Sequence, residues 1–202
     1  MDPTKKPPTS LAGLVGEIIE ASTKAKSSKH GEAAQAKPDE AKPFRRVDPY
    51  SWLDPRVQGL SDRASRLLSY LQTGPESSSE GLFVLAVSTM AAAFRWDVRK
   101  ARRALEELER VDLVRFDETT YTVLVMDKLA VEMPRSRYAI ASARVRIQRL
   151  HYTVLFEVFE ERIVRFSEAS GAPHFALEFR DAMIEVLERK RGQRNGRSER
   201  AL

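Results

Sequence analysis

Cysteine is absent from the 202 residues of the chain. Disulfides and thiolate zinc sites both need cysteine sulfur, so the chain has neither, as is typical of proteins kept in a reducing compartment. Long apolar runs are also absent: the stretch over 11–19 is interrupted by Gly13, Gly16 and Glu17 and falls short of the roughly 18 residues that span a bilayer. We therefore expect a cytoplasmic protein with no membrane partner.

Motifs of common enzyme classes are missing as well. The chain contains no GxxxxGK[ST], GxGxxG, HExxH or GxSxG pattern. Its three histidines, His30, His151 and His174, lie far apart in the sequence. Adjacent carboxylates such as Glu106 and Glu107 point to different sides of a helix and form no acid/base pair. These absences predict no enzyme, no cofactor and no metal.

What the chain does have is a sizeable apolar fraction and many charges. Hydrophobic residues make up 42%, enough for a core, and 34 Lys and Arg against 29 Asp and Glu give a net charge of only +5. The placement of charge should therefore matter more than its total. Residues 1–43 are rich in Lys, Pro, Ser, Ala and Glu, which predicts a disordered arm. A short helix over 10–21 would either fold on a partner or pack on the protein's own body.

From residue 44 the pattern becomes that of an ordered domain. Ser61 should cap a helix over 62–73, which Gly74 and Pro75 end. A short apolar run at 82–85 precedes a second helix over 88–94, and Asp97 should cap a third helix to about 111. LVRF and TYTVLV then predict two strands joined by a turn at 117–120. This order is that of a winged helix-turn-helix domain over 44–133.

Beyond Pro134 the pattern is helical. Residues 138–168 contain no Pro or Gly, which predicts one long helix or two joined near His151. Phenylalanine and other apolar residues spaced by four mark a final helix, so 134–190 forms a C-terminal helical segment and 191–202 a basic flexible tail. The fold class is mainly α with a small β-hairpin. Because the stripe of Phe156, Phe159 and Phe166 exceeds what a small domain must cover, we expect a homo-oligomer.

The third predicted helix carries its charges in an unusual order. Cations occupy its first half and the acidic residues Glu106, Glu107 and Glu109 its second half. A helix dipole prefers the reverse order, by roughly 0.3–1 kcal/mol per charge. A recognition helix, however, presents its first half to the major groove. We therefore predict that double-stranded DNA is contacted by five cations: Arg95, Arg99, Lys100, Arg102 and Arg103. The alternative is a solvated face with the pairs Arg102–Glu106 and Arg103–Glu107.

A second basic stretch follows the predicted domain. It consists of Arg135, Arg137, Arg144, Arg146 and Arg149. These side chains either extend the DNA footprint or pair with glutamates of a partner helix, namely Glu157, Glu160 and Glu161. The turn at 117–120 is acidic and is not expected to bind phosphate.

Three stretches together resemble a known family. WLDPRVQGLSDRASRLLSYLQTGP, GLFVLAVSTMAAAF and DVRKARRALEELERVDLVRFDETTYTVLV are similar to the N-terminal winged-helix domain of phage and prophage replication-initiation proteins, the replisome-organiser or DnaD-like group. The matching positions are 52–54, 81–82 and 98–117, and the likeness covers about 50–140. Arg95 and Asp112 stand where glycine is usual. The resemblance implies origin-DNA binding and recruitment of a replicative helicase or its loader in a bacterial host cell.

These observations predict a non-enzymatic DNA-binding protein of phage or mobile-element type that acts in replication initiation. One alternative is a winged-helix transcriptional regulator whose C-terminal helices dimerise. Another is a protein-interaction adaptor that uses a winged helix. Replication and transcription proteins share the same groove-reading module, so the residues alone do not separate these roles.

Overall fold

The computed structural model describes residues 45–169 and 171–198, with side chains as far as Arg194, so the predicted arm and its helix at 10–21 lie outside the described residues. This part is mainly helical, with eight α-helices and three strands. In chain order the elements are a 3-10 helix (Pro49–Leu53), α1 (Pro55–Gln58), α2 (Asp62–Thr73), β1 (Leu82–Val84), α3 (Val87–Ala93), α4 (Val98–Arg110), β2 (Val114–Asp117), β3 (Thr122–Val125), α5 (Lys128–Glu132), α6 (Arg137–Arg149), α7 (Leu155–Glu168) and α8 (Ala176–Ser198).

The starts of the longer helices follow from local capping. Ser61 Oγ accepts from the backbone N–H of Ala64 at 3.3 Å, and Asp97 Oδ1 accepts from that of Lys100 at 2.8 Å. Each such bond satisfies one of the backbone donors that a helix leaves unpaired in its first turn. The predicted caps of α2 and α4 are thereby confirmed.

The three strands form one antiparallel sheet in the order β1-β3-β2. Leu82 of β1 lies opposite Leu124 of β3, and Val114 of β2 lies opposite Val125. The predicted hairpin is therefore present, and the short strand β1 pairs with its second strand. A mainly helical fold with a small sheet is confirmed.

The central strand β3 is buried on both faces because helices cover the sheet from two sides. Val123 and Val125 point into a first core with the apolar faces of α2, α3 and α4. Leu124 points the other way, into a second core built with α6, α7 and α8. The segments 44–133 and 134–190 therefore share the sheet.

The C-terminal helical stretch is two helices, which confirms the predicted joint near His151. Leu150 has an extended backbone and ends α6. Thr153 is buried and donates from its hydroxyl to Asp117 Oδ2 of β2 at 2.6 Å, while its oxygen accepts from the N–H of Leu155 at 3.3 Å. The joint is thus fixed by a contact to the hairpin, since no Pro or Gly breaks the helix there.

The apolar stripe of α7 is covered by the protein's own chain. Phe156 and Phe159 are 0% and 1% exposed, and they share the second core with Phe179 and Met183 of α8. The expectation of an oligomer rested on a stripe that exceeds what a small domain must cover. Helix α8 and the sheet bury Phe156 and Phe159, and Phe166 is partly buried, so the stripe does not require a second copy of the chain and the oligomer stays a prediction.

Helix α8 continues past the predicted start of the basic flexible tail at 191 and ends at Ser198. Arg191 forms an ion pair with Glu160 of α7. The guanidinium of Arg194 lies 4.6 Å from the ring centroid of Tyr152, at cation–π distance. These two contacts hold residues that the sequence assigned to a fraying tail.

Three loop residues adopt the left-handed conformation at positions singled out by the resemblance. Arg95 and Asp112 have φ values of 55° and 57°, a region that glycine adopts more readily than residues with a side chain. Gly81 has φ 79°, and a Cβ there would lie 2.8 Å from Lys128 Cβ and 2.9 Å from the Val125 carbonyl oxygen. Glycine is therefore required at 81, whereas longer side chains are accommodated at the other two turns.

Candidate functional site

Helix α4 lies between α2 and the hairpin. On one side, Glu107 accepts from the N–H and the hydroxyl of Ser61 at 2.6 and 2.7 Å. On the other side, Glu109 accepts from the N–H of Phe116 in β2 at 3.2 Å. A buried stripe faces the first core and consists of Ala101, Ala104, Leu105 and Leu108. One long face of α4 is left to the outside.

The acidic second half of α4 is committed to internal contacts. Glu107 fixes the start of α2, and Glu109 bonds the hairpin, where burial raises the pKa of its carboxyl. Glu106 lies 3.4 Å from Arg102, as the solvated-face alternative expected. The second predicted pair of that alternative, Arg103–Glu107, does not form in the described part of the chain.

The five predicted DNA-binding cations fall into two groups. Lys100 Nζ lies 2.9 Å from the N-cap carboxylate of Asp97, and their hydrogen bond lowers the pKa of that carboxyl. Arg102 pairs with Glu106 and with Glu118 at the hairpin tip, and its guanidinium lies 5.8 Å from the Phe116 ring centroid. The remaining three, Arg95, Arg99 and Arg103, are exposed and form no ion pair with any described residue.

A sixth cation joins this surface. Arg110 is exposed, lacks an ion pair among the described residues, and lies on the same helix face as Arg99 and Arg103. Together these three form the α4 arginine row, which extends roughly 16 Å along the helix at 1.5 Å per residue. Sequence reasoning left Arg110 out because it follows the acidic half, although the spacing i, i+4, i+11 was the available signal.

The second basic stretch is partly engaged within the protein. Arg146 lies 2.7 Å from Glu80, whose side chain is fully buried, and Arg144 lies 2.8 Å from Glu185 of α8. Arg137 forms a longer ion pair, 3.6 Å from Glu178, and 87% of its side chain is exposed. The partners are therefore not the expected Glu157, Glu160 and Glu161. Arg135 and Arg149 are exposed and unpaired within the described ranges.

A cavity of about 470 Å³ opens between the 3-10 helix, α1 and α5. Several of its charged groups are paired: Arg56 lies 2.6 Å from Asp54 and 2.8 Å from Asp127. Lys128 is 2% exposed, lies 2.6 Å from Glu132, and donates to the Gln72 carbonyl at 2.6 Å. Burial lowers the pKa of Lys128. These pairs tie α1, α2 and α5 together.

Two other features, a membrane-spanning helix and a metal cluster, are absent from the described residues. No described helix is both long and apolar enough to cross a membrane. Within 45–169 and 171–198, no three His, Asp or Glu side chains cluster as a metal site would require. Comparisons with protein-family models, with curated proteins and with solved structures found no match.

Proposed function

We propose that the protein binds double-stranded DNA without catalysing a reaction, through a winged helix-turn-helix in which α4 is the recognition helix and the β2–β3 hairpin is the wing. The order α2, β1, α3, α4, β2, β3 supports this assignment, as does the antiparallel pairing of β1 with β3. In this arrangement α3 and α4 form the helix-turn-helix, with Arg95 in the turn between them.

The observation that carries the proposal is the α4 arginine row. Arg99, Arg103 and Arg110 are exposed cations without internal partners, while the acidic residues Glu107 and Glu109 of the same helix are held against α2 and the hairpin. The row is roughly 16 Å long, comparable to the major groove, which is about 12 Å wide. The exposed Glu106 lies on the same face between Arg103 and Arg110, but it pairs with Arg102 and not with the row. A row of cations without internal partners favours phosphate and guanine-edge contacts.

The hairpin has a supporting role in this proposal. Its tip carries Glu118, which pairs with Arg102. Phe116 lies beneath the same guanidinium. The hairpin therefore buttresses the flank of α4 and presents no free cation from its tip, so DNA contact is centred on α4.

We propose replication initiation, of phage or mobile-element type, as the biological role, with a replicative helicase or its loader as the protein partner. The support is the resemblance over 50–140, together with the left-handed turns at its glycine positions. A transcriptional regulator is the alternative role for the same module. Capture of purified helicase or loader by the immobilised protein, absent with an unrelated winged-helix protein, would favour replication.

The DNA-binding proposal is tested by fluorescence anisotropy on duplex DNA at several salt concentrations. The Arg99→Gln/Arg103→Gln protein should bind at least about tenfold more weakly than the parent, and the slope of log K against log salt should shrink by about 1.8, since each phosphate contact contributes about 0.9. Binding by this variant with the parent's affinity and slope would refute the proposal.

The matched control removes two arginines elsewhere. Arg165 and Arg189 lie on α7 and α8, are 75% and 60% exposed, and each pairs with a glutamate four residues earlier on its helix. Arg165→Gln/Arg189→Gln lowers the net charge by the same amount. We expect it to keep the parent's fold, because exposed ion pairs of this type contribute little to stability. Its DNA affinity should stay within about twofold of the parent's, since both arginines are already paired with glutamates.

A further inference from the structure

A groove of about 460 Å³ adjoins the start of α4. It is lined by Ser61, Asp62, Arg63 and Arg66 of α2 and its N-cap, and by Trp96, which immediately precedes the N-cap of α4. Sequence reasoning gave no role to Arg63, Arg66 or Trp96. The groove brings them beside α4, since Ser61 at the start of α2 bonds Glu107 of that helix.

The two arginines of this groove, Arg63 and Arg66, are available to bind a ligand. Both are exposed, and neither forms an ion pair or a side-chain hydrogen bond with a described residue. Asp62 is the one carboxylate among the lining residues, and it lies in the first turn of α2. The Ser61 hydroxyl is already bonded to Glu107. The lining therefore carries a net positive charge from two free guanidinium groups.

Trp96 is held in place by its neighbours. Its ring stacks on Phe94 with centroids 4.4 Å apart, and Phe94 in turn meets the edge of Tyr70 at 5.5 Å. The backbone N–H of Trp96 bonds to the Ala91 carbonyl at 2.9 Å. The indole N–H has no partner among the described residues, and an indole nitrogen can only donate. Trp96, whose ring is fixed by these contacts, thus lines the same groove as Arg63 and Arg66.

We propose that this groove binds a backbone phosphate of the DNA that α4 contacts, with Arg63 and Arg66 as charged donors and Trp96 as a positioning surface. The inference rests on the proposed function and extends its footprint from α4 to α2. Guanidinium groups suit phosphate because they donate two parallel hydrogen bonds to its oxygens. The groove borders α4 at two points, since Trp96 directly precedes the Asp97 N-cap and Ser61 bonds Glu107 of the same helix.

The first experiment measures affinity on duplex DNA across salt concentrations. Arg63→Gln/Arg66→Gln should weaken binding about three- to tenfold and reduce the salt slope by about 1, as expected for loss of one phosphate contact. Asp62→Asn should strengthen binding about twofold, because it removes the negative charge from the rim. Thermal unfolding checks that both proteins keep the parent's stability, which is expected for exposed positions.

The second experiment uses the fluorescence of Trp96. The chain has two tryptophans, and Trp52 is 61% exposed, so Trp52→Phe leaves Trp96 as the only reporter. Duplex DNA should change the emission of this protein at saturation. The change should be lost or at least halved when Arg63 and Arg66 are replaced as well, even at DNA concentrations that saturate the variant.

The outcomes separate this inference from the proposed function. If the Arg63/Arg66 variant binds like the parent while the Arg99/Arg103 variant is impaired, DNA binding stands and the groove inference is overturned. A parent that binds no duplex DNA overturns both. If inorganic phosphate at matched ionic strength changes Trp96 emission and duplex DNA does not, the groove is a small-anion site and the inference is overturned. Weaker binding together with loss of the Trp96 signal supports it.

Discussion

Replacing Phe159 by alanine should destabilise the folded chain itself. The side chain is 1% exposed and packs in the second core with Phe156, Ile163 and Phe179. Because the side chain is almost completely buried, its removal should lower the free energy of unfolding by about 3–5 kcal/mol. The loss comes from the transfer free energy of the ring and from the cavity that remains. Since single domains are stable by only about 5–15 kcal/mol, the variant would lose a large part of its stability.

Urea unfolding followed by circular dichroism measures this cost. With a slope of about 2 kcal/mol/M, the midpoint should fall by roughly 2 M. The same fall is expected at protein concentrations tenfold apart, because the phenylalanine contacts its own chain. Val154→Ala is the control: Val154 is 65% exposed at the start of α7, so its midpoint should move little.

A different result would support the oligomer prediction. If Phe159→Ala keeps the parent's unfolding midpoint but lowers the mass measured by light scattering, the α7 stripe must be a contact between copies. The internal packing described for Phe156 and Phe159 would then be refuted. A loss of stability that is independent of protein concentration supports a stripe buried within one chain.

Three further predictions follow from the ties between elements. Burial raises the pKa of Asp117, but hydrogen bonds from Thr153 and the turn outweigh this effect and leave the pKa below its usual value. The ionised carboxylate therefore stabilises the fold fully above a pH of about 4, and this stabilisation is lost as the pH falls through the lowered pKa. The free energy of unfolding, measured as the pH is lowered, should fall more steeply for the parent than for Asp117→Asn. Glu107→Ala should lower the free energy of unfolding by about 1 kcal/mol, because it removes the hydrogen bonds that Ser61 donates at the start of α2. Its DNA affinity should be unchanged or higher than the parent's. Weaker DNA binding by the fully folded variant would contradict this. Arg194→Gln should remove roughly 0.5–1 kcal/mol of cation–π contact with Tyr152 and speed hydrogen exchange over the last turns of α8, whereas unchanged exchange would mean that the contact does not hold them.

Helix starts were the most predictable part of the fold. Ser61 and Asp97 are capping residues directly before periodic apolar positions, and the structure begins α2 and α4 at the next residue. The hairpin was equally local, since two alternating runs flank a polar turn. Capping and turn formation involve residues only a few positions apart, so their pattern is legible in the sequence.

The positions of the charged residues were predictable from the sequence, but their ion-pair partners were not. The order of charges along α4 singled out four cations: Arg99, Lys100, Arg102 and Arg103. Of these, Arg99 and Arg103 are exposed and unpaired in the described structure, whereas Lys100 and Arg102 are paired. That order gave no means of knowing that Arg102 would meet Glu118 or that Arg146 would meet Glu80. Those partners are brought in from distant parts of the chain.

The sequence by itself predicted the longer helices, the short strand and the hairpin in their order, because capping, periodicity and turn chemistry act over a few residues. It did not predict the 3-10 helix, α1 or α5. Only the tertiary structure decided that the segments before and after Pro134 share one sheet, that α7 is covered by α8, and that Thr153 fixes the joint between α6 and α7 by bonding Asp117. It also decided which arginines stay free, since the partner of a long charged side chain is chosen by packing over long sequence distances.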